Sequence, residues 1–584
     1  MGDKLIKLFI NNKEIAAKEG DTLLKVALNN GFDIPYYCYH PDLPIDGNCR
    51  ACLIEVVDEK RGNWITTSCN LQIKEGMKIL LETEEVKKLR KQTLEMLFGG
   101  HMDNCDIYRS HYCRIHSEIF KKYGIDNKKY DRDQDIHQKF HKMNVAVELD
   151  PSICINCTRC IRVCDKIGIG YLKFEGTSSK KRITYNKDPK VDCIYCGQCA
   201  ANCPTGAARE QDCLEEISKI LKDPKKIVLV QTAPSVRVSL GEEFGMEPGS
   251  NVEGKMYTVY RKLGFDKVFD TNFAADVTTI IEAEELVERL HECKKMGIGH
   301  PLPMFTSCCP GWVKFVEFYY PELIPNLTTA NPPQIHAGFA YKTWWAEKEG
   351  VAPEDIIVVS IMPCTAKKYE ANKEKFRFGN NIKAVDYVLT TRELAALIRH
   401  HNIDFPTLEE GTVDKYGKYG GAGAIYGASG GVMEAALRSG YNILTGKDLP
   451  GITLEAVRNT AGAFKTADID IDGTILKVAV ASTPREARKL IEEIRKNPNK
   501  YHYIEIMACP GGCIGGGGQP FFPSTKAIVE KRRGAIYDID EAKTIRFAYK
   551  NPIAVEFIEW AKKQPKEKRD KCLYTSYSQK KKFE

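Results

Sequence analysis

The sequence has no apolar run near the roughly 20 residues that a membrane-spanning helix needs. Its first residues, MGDKLIKLFI, carry neither the long apolar core nor the small-residue cleavage site of a signal peptide. We therefore expect a cytoplasmic protein with no membrane partner, and nothing in the sequence predicts binding to nucleic acid. The chain also lacks a nucleotide-binding fingerprint, so any coupling to NADH would require separate subunits.

Cysteine, by contrast, is abundant: there are 22 cysteines among 584 residues, and fourteen of them precede residue 204. Clustered cysteines in a large chain without a secretion signal indicate metal sites rather than disulfides. Hydrophobic residues make up 43% and charged residues 28%, which is typical of soluble globular domains. The length predicts roughly three to four such domains.

The order of the patterns predicts a multidomain protein with α+β and α/β parts. We divide it into a β-grasp segment at 1–82, a His/Cys segment with a connector at 83–145, a cysteine repeat at 146–210, an α/β region at 211–560 and a basic tail at 561–584. The tail contains PKEKRDKC and QKKKF and is expected to be solvated and partly disordered. The alternative is that its charge docks an acidic electron-transfer protein.

The first cysteine motif is Cys38-x10-Cys49-x2-Cys52-x16-Cys69. The upstream run KLIKLFINNKEIAAKEGDTLLKVALNNG predicts strand, turn, strand and helix, which is how a small β-grasp ferredoxin fold begins. Four thiolates suit a 2Fe–2S cluster because each iron takes two soft ligands. A structural zinc is the alternative.

Two further motifs each read C-x2-C-x2-C-x3-C and start 39 residues apart. In this two-cluster ferredoxin signature the first three cysteines of a run bind one cluster and the fourth crosses to the other. We predict one 4Fe–4S cluster on Cys154, Cys157, Cys160 and Cys203. We predict a second on Cys193, Cys196, Cys199 and Cys164. The crossing requires both runs to belong to one fold.

A less complete motif, His101-x3-Cys105-x7-Cys113, lies between these sites. It departs from the pattern H-x3-C-x2-C-x5-C, which binds a 4Fe–4S cluster through one imidazole and three thiolates, because Tyr108 occupies the middle cysteine position. His111 would be an unusual replacement ligand. A third 4Fe–4S cluster and a decayed site both remain open.

Three cysteine segments lie in the α/β region: TSCCPGW (306–312), MPCTAKK (362–368) and EIMACPGGCIGGGGQP (505–520). Each follows a strand-like run and pairs cysteine with glycine or proline, which lets backbone approach a bulky inorganic group. The run Gly515–Gly518 is not a phosphate loop because no Lys-Ser/Thr follows it, and we expect it to approach a cluster closely. Cysteines spread over about 200 residues argue against a zinc finger.

These segments resemble, in order and nearly residue for residue, the three signature motifs of iron-only (FeFe) hydrogenases. The resemblance runs from residue 1 to about 560 and includes the two-cluster ferredoxin region. It implies an H-cluster, which is a 4Fe–4S cube joined through a cysteine to a two-iron unit with carbonyl, cyanide and azadithiolate ligands. The resemblance implies that the cube ligands are Cys309, Cys364, Cys509 and Cys513, of which Cys513 also bridges to the two-iron unit.

The resemblance also assigns residues around the two-iron unit. Cys308 matches the proton donor, and Lys367 matches the residue that grips a cyanide. Glu282, Glu285 and Arg289 share one helical face and match a proton path. Thr328 on that path stands where serine is common. The matched lining residues are Ala233, Pro234, Ser235, Gln334, Met362 and Met507. Without the resemblance, these residues would be interpreted as routine packing or a surface ion pair.

The implied reaction is the reversible combination of two protons and two electrons into hydrogen. Electrons would come from ferredoxin or another small acidic carrier and pass through the N-terminal clusters. Pro510, Pro332, Pro333 and Tyr426 depart from common family residues, but none of them removes a ligand or a relay group. Cys213, Cys293 and Cys572 belong to no motif and are expected to be free thiols.

Other functions stay open at this point. The chain could be the catalytic subunit of an NADH-coupled complex, which co-purification of a flavin-containing partner would favour. It could also be a redox sensor or iron–sulfur scaffold without turnover, although Cys308 and the glutamates argue against this. An electron-transfer subunit of a quinone oxidoreductase would not need the C-terminal cysteine motifs.

Iron counting on the isolated N-terminal 145 residues tests the incomplete motif. About six irons per chain are expected if His101, Cys105 and Cys113 hold a 4Fe–4S cluster beside the 2Fe–2S cluster. A count of about two irons would show that this site has lost its cluster.

Overall fold

The computed structural model describes residues 4–99, 117–126, 129–130, 141–142, 144–177, 181–294, 301–451, 453–458, 464–471, 473–520 and 525–583. The candidate ligands His101, Cys105 and Cys113 lie outside these ranges. None of the helices within the ranges is both long and apolar enough to cross a membrane.

The N-terminal region is built on a five-stranded sheet with the order β2-β1-β5-β3-β4. Its strands are β1 (Leu5–Ile10), β2 (Lys13–Lys18), β3 (Leu53–Val57), β4 (Trp64–Thr67) and β5 (Lys78–Leu80). β1 buries alternate residues, and the turn to β2 uses the left-handed residues Asn11 and Asn12. The helix Leu23–Asn29 packs its apolar residues on this sheet, and the helix Glu84–Phe98 follows with Thr83 as its N-cap. The predicted strand–turn–strand–helix start is confirmed.

The cysteine repeat of the sequence is also a repeat in the structure. Each run leads into a short helix, Arg159–Lys166 or Gln198–Ala201, and each helix follows a left-handed residue, Thr158 or Gly197. The strands of this region are β6 (His141–Lys142), β7 (Val147–Leu149), β8 (Leu172–Glu175), β9 (Arg182–Tyr185) and β10 (Ala208–Glu210). They form a sheet of order β10-β7-β6 and a separate β8–β9 hairpin.

The following region contains two four-stranded sheets with the orders β12-β11-β14-β17 and β13-β20-β19-β18. The first is parallel throughout and comprises β11 (Ile227–Thr232), β12 (Lys267–Asp270), β14 (Ile356–Met362) and β17 (Tyr387–Thr390). The second comprises β13 (Met304–Phe305), β18 (Phe464–Ile471), β19 (Thr474–Ser482) and β20 (Tyr503–Met507). A small hairpin joins β15 (Arg377–Phe378) to β16 (Ile382–Lys383).

Helices surround both sheets, and one π-helical turn lies at Tyr341–Trp345. The α-helices described here are Leu214–Ile220, Glu253–Leu263, Thr271–Lys294, Pro310–Tyr319, Pro333–Ala340, Ala346–Glu349, Ala366–Ala371, Thr391–His400, Gly421–Ile425, Gly431–Thr445, Pro484–Lys496, Lys526–Ala542, Pro552–Lys562 and Lys566–Leu573. The predicted alternation of strands and helices is therefore present.

The sheets position the cysteine motifs at the ends of their strands. β14 ends at Met362, two residues before Cys364, and β20 ends at Met507, two residues before Cys509. β13 ends at Phe305, shortly before the cysteines of the first motif. In parallel α/β sheets, functional groups gather at the carboxyl ends of the strands, so this topology brings distant segments to one place.

The C-terminal tail differs from the expectation of a solvated, partly disordered segment. Leu573 is fully buried, and Tyr574 forms a β-bridge with Ala330. Further along, the Lys580 N–H donates to the Glu317 carbonyl at 2.8 Å, and the Phe583 N–H donates to Asp192 Oδ2 at 3.2 Å. The lysines dominate the composition of the tail, but a few apolar side chains and backbone groups fix its path.

Truncating Leu573 to alanine tests this packing. We expect Leu573→Ala to lower the free energy of unfolding by about 2–5 kcal/mol, because it opens a cavity in the main core. Leu444→Ala is the matched control, since Leu444 is 38% exposed and should change stability by no more than about 0.5 kcal/mol. Urea unfolding followed by tryptophan fluorescence measures both, and equal small effects would contradict a packed tail.

Candidate active site

The two ferredoxin-type runs exchange their fourth cysteines in space. Cys154, Cys157 and Cys160 line one small internal cavity together with Cys203, from the other run. Cys164 in turn lies near Cys193, Cys196 and Cys199. Burial raises the pKa of Cys157 in the first set and of Cys199 in the second to about 12. The structure thus assembles the two crossed sets that the spacing predicts.

The four cysteines of the N-terminal region also come together. Cys38 lies within hydrogen-bonding reach of Cys49 and Cys69, and Cys52 lies within reach of Cys69. The Cys38 N–H donates to Cys49 Sγ at 3.4 Å. All four side chains are buried, and N–H donors to sulfur favour the thiolate form that iron binds.

This N-terminal site lies directly against the first crossed set. The Arg162 guanidinium donates to the carbonyls of Cys38 and Pro44, and at 3.3 Å to that of Cys157. The Asn48 amide donates to the Asn156 carbonyl at 3.2 Å. One arginine therefore holds the backbone of a cysteine from each site, which keeps the two sites adjacent.

The second crossed set lies against the last cysteine motif. Gln198 Nε2 donates to the Gly515 carbonyl at 2.8 Å, and Cys196 is an electrostatic neighbour of Cys509. A Cβ atom on Gly517 would lie 2.0 Å from the Cys196 carbonyl oxygen. The chain therefore presents a continuous series of cysteine sites from the N-terminal region to the last motif.

The glycine run makes close contacts with other segments of the protein. The expected approach of Gly515–Gly518 to a cluster stays a prediction, and the structure shows what else this backbone contacts. A Cβ atom on Gly515 would lie 2.0 Å from the Pro510 carbonyl oxygen, and one on Gly516 would lie 2.2 Å from that of Pro363. Glycine is required because this segment packs between the middle cysteine motif and the ferredoxin-type region.

The cysteines of the three later motifs meet in one site. Cys309 is the N-cap of the helix Pro310–Tyr319 and accepts the Ala508 N–H at 3.4 Å. Burial, followed by the neighbouring Cys309, raises the pKa of Cys364 to about 12. Cys513 has both of these thiols as electrostatic neighbours, and so does Cys509. Four soft donors in a desolvated site fit an iron–sulfur cube, whose positive irons would stabilise the thiolates.

A pair of buried charges stands beside this thiol group. Lys367 Nζ donates to the Cys308 carbonyl at 3.1 Å and to Glu370 Oε2 at 2.7 Å. Burial opposes the charge on Lys367, but the Glu370 carboxylate keeps its pKa above the usual value. Gln334 Nε2 donates to the same carboxylate oxygen at 3.1 Å. The ammonium is therefore held charged next to the cysteines.

The remaining matched lining residues lie at strand ends nearby. Ala233, Pro234 and Ser235 follow β11 and are buried, and Ser235 Oγ has no hydrogen-bond partner within the described ranges. Met362 and Met507 end β14 and β20 and are each 2% exposed. An unpartnered buried hydroxyl and an ammonium fit a group that carries polar ligands.

Gln519 connects two parts of this site that lie far apart in the sequence. Its Nε2 donates to the carbonyls of Ser235 and Cys513, both at 3.3 Å. Its Oε1 accepts from Ser239 Oγ at 2.6 Å. Sequence analysis assigned no role to this residue, although it lies within the last motif.

A chain of polar groups extends from the surface toward Cys308. Glu285 lines a cavity of about 430 Å³ together with Arg289 and Thr329. Its Oε2 accepts from Thr328 Oγ1 at 2.7 Å and from the Thr329 N–H at 2.8 Å, and its Oε1 accepts from Arg289 Nε at 3.1 Å. The structure thus brings together three of the four residues that were matched to a proton path.

Glu282 lies one helical turn deeper and is fully buried. Burial raises its pKa to about 8, so that the carboxyl is neutral at pH 7. Its electrostatic neighbours include Glu285, and it is in turn a neighbour of Cys308. Its Oε1 accepts from Tyr503 Oη at 2.6 Å, a contact that no sequence pattern indicated.

The fold and site define an iron–sulfur type of redox protein, in which ferredoxin-like regions lie beside a buried multi-thiol centre. Three family models match the chain and indicate the same class of protein. Residues 226–517 match "Iron only hydrogenase large subunit, C-terminal domain", residues 3–84 match "2Fe-2S iron-sulfur cluster binding domain" and residues 153–207 match "4Fe-4S dicluster domain". The chain belongs to the iron-only hydrogenase family.

Relatives match over nearly the whole chain. It is 37% identical to NADP-reducing hydrogenase subunit HndD of Solidesulfovibrio fructosivorans, over 98% of this chain and 99% of that protein. It is 36% identical to Iron hydrogenase 1 of Clostridium pasteurianum, over 94% and 96%. The structure of a variant of apo [FeFe]-hydrogenase HydA1 from Chlamydomonas reinhardtii is 38% identical with a TM-score of 0.55, and the match covers 63% of this chain and 98% of that one.

The neutral state of Glu282 predicts a pH-dependent stability. Below its ordinary pKa of 4.5 the group is neutral in both folded and unfolded chains. Between there and about 8 only the unfolded chain releases the proton, so stability falls as pH rises. We expect Glu282→Gln to be more stable than the parent at pH 8 by roughly 1–4 kcal/mol, with the difference shrinking toward pH 5.

Urea unfolding at both pH values measures this difference. Glu288→Gln is the matched control, because Glu288 is an exposed carboxylate on the same helix. A Glu282→Gln advantage that is the same at pH 5 and pH 8 would show that Glu282 does not stay neutral.

Proposed function

We propose that this chain is a ferredoxin-linked hydrogenase that catalyses 2H⁺ + 2e⁻ ⇌ H₂ at an H-cluster. The observation that carries the proposal is the meeting of Cys309, Cys364, Cys509 and Cys513, from three motifs, beside Cys308 and Lys367. These four thiols would hold the cube, and Cys513 would bridge to the two-iron unit. When bound, this cofactor supplies the redox centre at which protons and electrons combine.

The arrangement of the cysteine sites supports an electron route. Electrons would enter at the sites of the N-terminal region and pass through the two crossed ferredoxin-type sets. They would leave the second set where Cys196 neighbours Cys509. Gln198 and Gly517 hold these two segments in contact, which favours transfer because the sites are close.

Protons would follow the other polar series. Glu285 faces the surface cavity and is oriented by Arg289 and Thr328. Glu282 lies between it and Cys308 and is neutral at pH 7, so it can donate a proton and then be recharged. The Cys308 thiol is half-buried and stays protonated, because desolvation raises its pKa well above the usual value. It would act as the final donor.

Two groups would orient the polar ligands of the two-iron unit. Lys367 offers a charge-assisted hydrogen bond and is kept charged by Glu370. Ser235, which follows β11, offers a hydroxyl that has no hydrogen-bond partner among the residues that the structure describes. Met362, Met507 and Ala233 would exclude water from the same space, since their side chains are buried and apolar.

A second arrangement is favoured by one relative. The protein named NADP-reducing hydrogenase subunit matches this chain over almost its full length. We propose that this chain accepts electrons either from ferredoxin, or another small acidic carrier, or from flavin-containing subunits. A flavin-containing partner that co-purifies would favour the second arrangement. We also propose a cytoplasmic location, although a relative that is 41% identical is named Periplasmic [Fe] hydrogenase large subunit.

A function without turnover is the main rival. Cytosolic iron-sulfur assembly component 3 of Mus musculus is 29% identical over 64% of this chain. Cys308 and the series from Glu285 to Glu282 favour catalysis instead, because a scaffold has no need of a buried proton donor or of a route to it.

Infrared spectroscopy of the matured protein tests the proposed function. We expect terminal CO and CN bands, hydrogen evolution by the parent protein, and a loss of at least about 100-fold in turnover for Cys308→Ala with the bands retained. Cys213→Ala is the control, because Cys213 is a thiol outside the site and its loss should leave turnover unchanged. Missing bands after maturation would overturn the assignment, and an active Cys308→Ala variant would reject Cys308 as the donor.

A further inference from the structure

The two oxygens of the Glu282 carboxyl have different surroundings. Oε1 accepts a hydrogen bond from Tyr503 Oη at 2.6 Å. Oε2 is buried and has no hydrogen-bond partner within the described ranges. Glu282 and Tyr503 are both 0% exposed, so bulk solvent does not reach either carboxyl oxygen. A carboxyl in this state has one oxygen that is fixed as an acceptor and one that is free to carry a proton.

Tyr503 is a rigid donor because of its place in the sheet. It begins β20, where it is in register with Met304 of β13 on one side and Val478 of β19 on the other. Glu282 lies on the helix Thr271–Lys294, which is a separate element. The hydrogen bond therefore ties the helix that bears the relay carboxyl to the strand that leads to Cys509.

We propose that Tyr503 is a positioning residue of the proton relay, which holds Oε1 of Glu282 as an acceptor so that Oε2 carries the exchanging proton. For each proton delivered in hydrogen evolution, the Cys308 thiol gives up its proton, the proton on Oε2 replaces it on the sulfur, and one proton returns to Oε2 from the Glu285 side. Hydrogen oxidation reverses these transfers, and Tyr503 neither gains nor loses a proton. The proposal rests on the proposed function.

Several titratable groups surround Glu282, and Tyr503 is placed to donate a hydrogen bond to its Oε1. Glu285 and Arg289 face Glu282 from the same helix, and Glu505 faces it from β20. Two further neighbours come from loops: Cys308 follows β13, and Tyr426 follows the helix Gly421–Ile425. Tyr426 Oη is hydrogen-bonded to Thr279 Oγ1 at 2.8 Å, and Arg289 is bonded to Glu285. Burial raises the Glu282 pKa, and the Tyr503 hydrogen bond opposes that rise.

The variant Tyr503→Phe in the matured holoenzyme tests the proposal. It removes one hydroxyl and keeps the ring. We expect unchanged CO and CN bands, turnover lower by about tenfold, and an alkaline limb of the pH–rate profile displaced to higher pH. The infrared carboxyl C=O band of Glu282, identified by its disappearance in Glu282→Gln, should shift as it loses a donor.

Tyr341→Phe is the matched control. Its buried hydroxyl donates to the Asp270 carbonyl at 3.3 Å in another part of the core, so its loss should leave the turnover, the pH profile and the carboxyl band unchanged. If the parent is active and Tyr503→Phe matches it in all three measurements, Tyr503 does not position Glu282. Equal effects of the two variants would reject the proposal as well.

The proposed function can fail independently. If the matured parent shows CO and CN bands but makes no hydrogen, the proposed activity is wrong. The shift of the Glu282 carboxyl band still decides whether Tyr503 holds Oε1.

Discussion

The close passage of the Gly515–Gly518 backbone between two other segments is the constraint on which the rest of the structure depends. The carbonyl oxygens of Pro363 and Cys196 would lie only 2.2 and 2.0 Å from Cβ atoms on Gly516 and Gly517, so no larger residue fits without a shift of the backbone. This contact places Cys513 and Cys509 next to Cys364 on one side. On the other side it brings the ferredoxin-type region into contact with the catalytic region.

Desolvation affects the charge states of the polar groups around the cysteines in different ways. A buried charge is stable only with a partner, and Lys367 and Glu370 supply one another, with Gln334 as an additional donor. Glu285 keeps its hydrogen bonds to Arg289 and Thr328 near a cavity. Glu282 forms no ion pair within the described ranges, and burial keeps it neutral despite the nearby Arg289. The same burial that suits a metal cluster thus produces a neutral acid beside it.

The cysteine ligand sets were largely predictable because their spacing is local. A C-x2-C-x2-C-x3-C run fixes three sulfurs around one point, and the crossing of the fourth follows from the duplicated motif. The structure brings together the sets with Cys203 and Cys164 exchanged. The packing of the glycine run between two protein segments was not predictable, since the sequence shows that the backbone comes close to another group but not which protein segments it contacts. The tail was misjudged because its lysines outnumber the few residues that pack.

The sequence by itself determined the family, the cysteine-rich regions and the residue types that meet at the multi-thiol site. These follow from short motifs whose members are neighbours along the chain or match family signatures. Only the tertiary structure decided that Gln519 links Ser235 to Cys513, that Arg162 joins two cysteine sites, and that Tyr503 donates to Glu282. Each of these links includes a contact between residues far apart along the chain, and the last depends on sheet register. Local sequence periodicity therefore does not predict these three links.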